Sequence, residues 1–310
     1  MIKTITFSIF FFFVLFSSAG MSPGQSIAQA NSLKDSTVVV LLGTGMPRPN
    51  PETAGPATAV TYGKRVFLFD AGTSVERQLA AAKLPINGVT AAFITHLHSD
   101  HTLGYPDLIF TSWVMGRKNP MPVYGPVGLQ KMTDNLIAAY SEDIDVRIHG
   151  LEHQTTGGYK IDVHEIEAGL IYDSLGVRIT AIPVPHGNWK KAFAYRIDTP
   201  DRSILISGDT RYNEELVKYS KGVDILIHEV YSESHLKPEK REGGDDWPKY
   251  MKEFHTSDVE LGKLASLIKP KLLILYHLIR MGASDDELIE GIRKGGFTGK
   301  VSVGKDLDRY

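Results

Sequence analysis

Thr95-His96-Leu97-His98-Ser99-Asp100-His101 places three histidines and an aspartate within six positions. The apolar run Ala91-Ala92-Phe93-Ile94 leads into it, and Leu103-Gly104-Tyr105 follows. This is the pattern of a buried strand that ends in a loop, and such a loop fans several side chains around one point. His96 and His98 can share one metal ion, and Asp100 and His101 can reach a second beside it. Imidazole and carboxylate are both zinc donors. A lone histidine on a strand is more often structural, whereas four ligand-type residues at this spacing mark a site.

The pattern His-x-His-x-Asp-His resembles the signature of the metallo-β-lactamase superfamily. The resemblance demands three further ligands at strand ends, and the sequence supplies them. His186 follows the strand-like Val177–Val184, Asp209 lies in Ser207-Gly208-Asp209-Thr210, and His277 follows Leu272–Tyr276. By that resemblance His96, His98, His186 and a share of Asp209 hold one metal. Asp100, His101, His277 and the same aspartate hold the other. Two Zn2+ about 3.5–4 Å apart supply a hydroxide nucleophile at neutral pH, which Asp100 is placed to orient or deprotonate. Manganese or iron suit the same donors. Strands alternating with helices and hairpins suggest two sheets packed together with helices outside. The resemblance sharpens this to an α/β (α+β type) αββα sandwich of two mixed sheets.

Within the superfamily, the absence of cysteine excludes the branch with a cysteine ligand. Asp209 as a bridging carboxylate points to ester or diester hydrolysis rather than β-lactam opening. Phe69-Asp70-Ala71-Gly72, Glu76-Arg77-Gln78-Leu79, the metal loop, His228-Glu229 and His255-Thr256-Ser257 look like the tRNase Z group in the same order. In that group a glutamate and a later histidine donate a proton to the leaving oxygen, which makes Glu229 and His255 candidates here. His255 just before a helix N-terminus would also suit an anion. Only 23 positions separate His186 from Asp209, too few for the long arm that the tRNA enzymes insert there. Thr111-Ser112-Trp113, Gly116-Arg117-Lys118, Pro122-Val123-Tyr124-Gly125-Pro126 and Val163-His164-Glu165-Ile166 are instead similar to an arylsulfatase-like subgroup.

The chain has 310 residues and a formal net charge of -2. It is long enough for one large domain. Its charge gives no electrostatic reason to expect nucleic acid, whose partners are usually basic. Met1-Ile2-Lys3, an apolar stretch over Ile5–Phe16 and small residues up to Ala30 have the form of a secretory signal peptide. The apolar run is shorter than the ~20 residues of a spanning helix, so no stable membrane anchor is expected. The expected organisation is a signal peptide over 1–30 and one hydrolase domain over 31–310.

Several other positions carry two readings. Arg48, in the Gly/Pro-punctuated loop Gly43–Pro49, can meet an anionic substrate or be a solvated loop residue. Lys190, beside Lys191, offers positive charge near His186 or is likewise solvated. Asp70 either orients a ligand histidine or simply ends its strand. Thr73 and Glu76 have capping-box spacing, as do Ser257 with Glu260 and Ser284 with Glu287. Ser141–Lys160 and Gly243–Pro248 read as polar loops. Together these features predict a periplasmic or secreted dizinc hydrolase of small anionic esters, arylsulfatase-like, with a homodimer among its expected assemblies. The alternatives are a tRNase Z-type phosphodiesterase and, from another class, a non-catalytic metal-binding protein.

Overall fold

β1 (Thr37–Gly43) is apolar at both parities. Val39 and Leu41 enter one fully buried cluster, and Val40 and Leu42 enter another. Side chains alternate across a strand, so such a strand needs cover on both faces. β3 (Arg65–Phe69) splits the same way, with Phe67 and Phe69 on one side and Val66 and Leu68 on the other.

The computed structural model describes residues 36–239 and 246–310. The signal-peptide expectation for residues 1–30 lies outside the described residues. Two mixed sheets form. The first has the order β1, β2 (Ala57–Tyr62), β3, β4 (Val89–Phe93), β5 (Met121–Gly125), β6 (Ile161–Glu165). It is antiparallel up to β3 and parallel from there on. The second runs β13 (Lys300–Val303), β12 (Leu272–Ile279), β11 (Ile225–Tyr231), β10 (Ser203–Ile206), β9 (Phe193–Asp198), β8 (Val177–Pro183), β7 (Gly169–Ser174). There β10 to β13 are parallel, and β9, β8 and β7 are added antiparallel.

The sheets face each other across Phe67, Phe69 and Phe93 from one side and Phe193, Tyr195, Ile206, Ile227 and Tyr276 from the other. Phe93 is the hub, with ring centroids 5.1 Å from Phe69, 5.0 Å from Tyr124 and 5.8 Å from Tyr195. Burying one such side chain stabilises the fold by roughly 1.5–3 kcal/mol. The outer face of the first sheet packs on α1 (Val75–Ala81), α3 (Tyr105–Val114) and α4 (Leu129–Ala139). That of the second packs on α6 (Glu215–Ser220), α8 (Asp258–Ile268) and α9 (Asp285–Lys294). The fold is therefore an αββα sandwich. Among the described residues no helix is long and apolar enough to cross a membrane.

Local expectations are met unevenly. Both the Ser257/Glu260 and Ser284/Glu287 capping boxes form. The Thr73/Glu76 box does not: α1 starts from Ser74 in a left-handed conformation without a side-chain cap, and Glu76 is buried. Burial drives the Glu76 carboxyl up to about 8, so it serves the interior rather than the helix end. Ser141–His149 is a helix, α5, and not a loop. Glu142 and Asp143 lie in the first turn and Arg147 and His149 in the last, with an Asp143–Arg147 pair one turn apart, which suits both the helix dipole and i,i+4 pairing. Of the stretch Gly243–Pro248 read as a loop, residues 243–245 lie outside the described residues, and Trp247 and Pro248 open α7 (Trp247–Phe254), with Pro248 in the first turn, where a proline is tolerated.

Candidate active site

The candidate metal ligands converge at one edge of the sandwich, at or near the C-terminal ends of β4, β8, β10 and β12. β4 runs into Ile94, Thr95 and His96, and α2 (Ser99–Thr102) then carries Asp100 and His101. The second sheet reaches across to fix this loop: Tyr195 Oη donates to the Ile94 carbonyl at 2.7 Å and the Phe193 amide to the Thr95 carbonyl at 2.9 Å. His186 follows β8, and Asp209 follows β10 through Gly208, whose φ of 57° lets the chain turn where a Cβ would press on the Phe193 carbonyl.

His277 does not end its strand as the sequence suggests. β12 continues to Ile279 and pairs again with β11, and His277 is the extra residue of a bulge. Its φ of 43° is costly for a residue with a Cβ, and strained bulges of this kind re-aim side chains at functional sites.

The ring and carboxylate atoms converge. His98 Nδ1 lies 3.0 Å from His96 Nε2 and 3.1 Å from His186 Nε2. Asp209 Oδ2 is 3.8 Å from His96 Nε2 and 4.0 Å from His186 Nε2. Beside them, His101 Nε2 is 3.2 Å from Asp209 Oδ1 and 3.6 Å from Asp100 Oδ2. His277 Nε2 is 3.2 Å from Asp100 Oδ2 and 3.5 Å from Asp209 Oδ2. A tetrahedral zinc with ligands at ~2.0–2.1 Å requires donor–donor edges of about 3.3 Å. Both groups scatter around that value. The buried His101 Nε2 and Asp209 Oδ1 also have no hydrogen-bond partner, as expected of atoms aimed at a cation. The donors thus fit two adjacent divalent ions, with Asp209 between them.

Electrostatics agree with that donor role. Burial holds His96 well below, and His98 below, the usual histidine range, and holds His186 at about 3. All three are neutral, the form that binds metal. Burial would raise Asp209, but His277 and His101 outweigh it and keep the carboxylate ionised. Burial alone would lower His277, but Asp209 and Asp100 raise it to about 9. The same carboxylate field attracts a divalent cation in place of that proton.

Behind the ligands stand groups that orient them. Asp70 Oδ2 accepts from His101 Nδ1 at 2.8 Å, and its Oδ1 accepts the Thr95 amide at 2.8 Å. Of the two readings of Asp70, the structure selects the orienting one. The Phe254 carbonyl accepts from His186 Nδ1 at 2.7 Å. Trp189 Nε1 donates to His98 Nε2 at 2.8 Å. Neither Trp189 nor the Phe254 carbonyl carries a sequence signal, because both depend on which loops meet.

Glu229 and His255 form a pair, with His255 Nδ1 3.0 Å from Glu229 Oε2 and 3.9 Å from Asp209 Oδ2. The Thr210 amide donates to Glu229 Oε1 at 2.9 Å. Burial and Asp209 push Glu229 well above the usual carboxyl range, and burial pushes His255 down to about 4. Each group alone resists charge, so the pair is suited to sharing one proton.

Two clefts open onto this centre. One, of about 940 Å³, passes His255 and Phe254 and is bordered by Arg48. The other, of about 950 Å³, passes Ser99 and Asp100. Arg48 donates to both carboxylate oxygens of Glu239 and stands 5.7 Å from the Trp247 ring centre. Lys190 is exposed, in a smaller cleft beside Trp189.

Residues 65–278 match the model of the β-lactamase superfamily domain. The chain belongs to the metallo-β-lactamase superfamily. A ribonuclease Z of Mycobacterium bovis is 32% identical over 277 residues, which is 87% of this chain and 96% of that protein. Among solved structures, the metallo-β-lactamase fold protein YhfI from Bacillus subtilis gives a TM-score of 0.70 at 19% identity, covering 89% of this chain and 99% of that one. The short form of human tRNase Z gives 0.66 at 24% identity, covering 88% and 98%.

The superfamily membership and these homologues make the chain a metal-dependent hydrolase of ester bonds, which sets aside the non-catalytic alternative. They also overturn one expectation. A partner set of small anionic esters without nucleic acid does not stand beside homologues named for acting on RNA. The error lay in using the net charge of the whole chain. A metal centre and its clefts create a local field that an average of -2 over 310 residues does not describe.

Proposed function

We propose that this superfamily member hydrolyses phosphodiester bonds in the manner of ribonuclease Z, with RNA as the substrate class. The observation that carries the reading is the Glu229–His255 pair beside the ligand cluster, in a chain 87% of which matches 96% of a ribonuclease Z. The homologues favour this alternative over the arylsulfatase-like one.

We assign His96, His98 and His186 to one metal and Asp100, His101 and His277 to a second, with Asp209 shared. Zinc is the ion the donors suit best. Bound divalent metal supplies a nucleophile from water at neutral pH and neutralises charge on the attacked phosphoryl group. Asp100, held toward His277, orients the attack. His255 meets the leaving oxygen and delivers its proton, with Glu229 holding Nδ1 and balancing the charge. Lys190 adds positive charge in the smaller cleft beside Trp189, while Arg48 is paired with Glu239. Export rests on the composition of Met1–Ala30 alone.

The test is side-by-side turnover of bis(4-nitrophenyl) phosphate and 4-nitrophenyl sulfate by the zinc-loaded chain, with Asp100→Ala and His255→Ala as controls. The diester is expected to be cut faster, and both substitutions are expected to lower its turnover by 100-fold or more. Faster sulfate cleavage, or diester cleavage insensitive to both substitutions, refutes the assignment.

A further inference from the structure

The two clefts differ in chemistry. The first touches His255, and Gly187 and the α7 rings line it. The second touches Ser99 and Asp100 and continues to Arg77. Met46, Pro47 and Pro49 border both, so the loop after β1 divides them like a partition. A diester has two organic arms, and only one of them leaves. Hydrolysis breaks the bond from phosphorus to the leaving oxygen, and that oxygen takes the proton. The other arm keeps its bond and ends as a phosphomonoester. Because His255 lies on the first cleft, the leaving arm belongs there and the retained arm lies in the second.

Arg77 is the only cation among the described residues that line the second cleft. It is exposed on α1, and among the described residues its side chain has no ion pair or hydrogen bond. Arg48 differs in being spent on Glu239. The acids near Arg77 are largely committed elsewhere. Asp306 accepts from the Thr44 amide, the Ala54 amide and Gln78 Nε2, and Asp100 faces His277, which leaves the exposed Glu52. A guanidinium presents a rigid donor fork that matches phosphate oxygens. Cleft and cation together describe a seat for a nucleotide arm that carries one more phosphate.

We infer that the cleft beside Asp100 holds the retained arm of the substrate and that Arg77 binds the next phosphate along a nucleic-acid strand. This rests on the phosphodiester reading and assigns each arm of the strand its own cleft.

Thymidine 5′-(4-nitrophenyl phosphate), with and without a 3′-phosphate, tests it. Nitrophenolate is the leaving arm in both, and the 3′-phosphate is the added group on the retained arm. The zinc-loaded chain is expected to prefer the 3′-phosphorylated compound by about tenfold or more in kcat/KM. Arg77→Gln is expected to lose that preference while cutting bis(4-nitrophenyl) phosphate at the parent rate. No preference in the parent, or a preference that survives Arg77→Gln, overturns the assignment while leaving the diester reading intact. Failure to cut any of the three diesters overturns both.

Discussion

Asp70→Asn isolates one hydrogen bond behind the metal centre. Asp70 has a φ of 60°, a region that asparagine tolerates better than other residues with a Cβ. The backbone therefore has no reason to move. The carboxylate now accepts from His101 Nδ1, the Thr95 amide and Thr95 Oγ1, and it is only 2% exposed. An amide offers one acceptor oxygen and one NH2 in its place. If the oxygen faces His101, the NH2 opposes the buried Thr95 amide. If it faces Thr95, the NH2 opposes His101 Nδ1–H. Either way one buried donor loses its partner, at a cost of about 1–3 kcal/mol. Groups that orient metal-bound histidines typically contribute about 10–100-fold in metal affinity, or roughly 1.4–2.8 kcal/mol. The measurements are a zinc dissociation constant by chelator competition and urea unfolding of the metal-free protein. A variant that binds zinc within threefold of the parent and unfolds at the same midpoint would refute the orienting role of Asp70.

Two further outcomes follow from packing and burial. At Gly187, with φ 50°, an added Cβ lies 2.0 Å from the Phe254 ring, and the Phe254 carbonyl holds His186. Gly187→Ala is therefore expected to destabilise by about 2–5 kcal/mol from left-handed strain plus overpacking and to weaken zinc binding. Gly222→Ala, with φ 72° and nothing within 4 Å, carries the backbone strain alone; equal losses at the two sites in urea unfolding would contradict the steric argument. His228 is fully buried, and burial lowers it from 6.5 to about 4. The unfolded chain takes up that proton below pH 6.5 while the folded chain resists until about pH 4, so stability falls as pH drops through this window and is unaffected above it. The loss is roughly 3 kcal/mol; His228→Leu is expected to flatten the acid limb by that amount in urea unfolding between pH 6.5 and 4, and an unchanged limb would show that His228 does not titrate with unfolding.

Some of the molecule was legible without coordinates because its signals are local. The spacing from His96 to His101 belongs to one short loop, and two capping boxes span four residues each. The alternation of strands with helices and hairpins suggested two packed sheets with helices outside. Where a local pattern competed with burial, it misled. Glu76 had the spacing of a helix cap, but the sandwich buries its side chain, and a buried carboxyl cannot also serve an exposed helix end. Ser141–His149 looked like a polar loop because charged residues surround Ile144 and Ile148, the two side chains one turn apart that pack on the core.

The sequence by itself determined the ligand chemistry, since residue types and their order at strand ends restrict the donors to nitrogen and oxygen and exclude a cysteine ligand outright. Its alternation of strands with helices and hairpins suggested the two packed sheets, and the resemblance carried by the metal-loop motif made that an αββα sandwich. Only the tertiary structure decided which atoms face the centre. His101 turns Nε2 inward because Asp70, 31 positions away, takes Nδ1. His277 reaches the cluster through a bulge that no local pattern announces. The division into two clefts, with Arg77 in one and His255 in the other, arises where distant loops meet at one edge of the sheets. Those facts depend on which strands lie side by side, and strand order is fixed by packing over the whole chain.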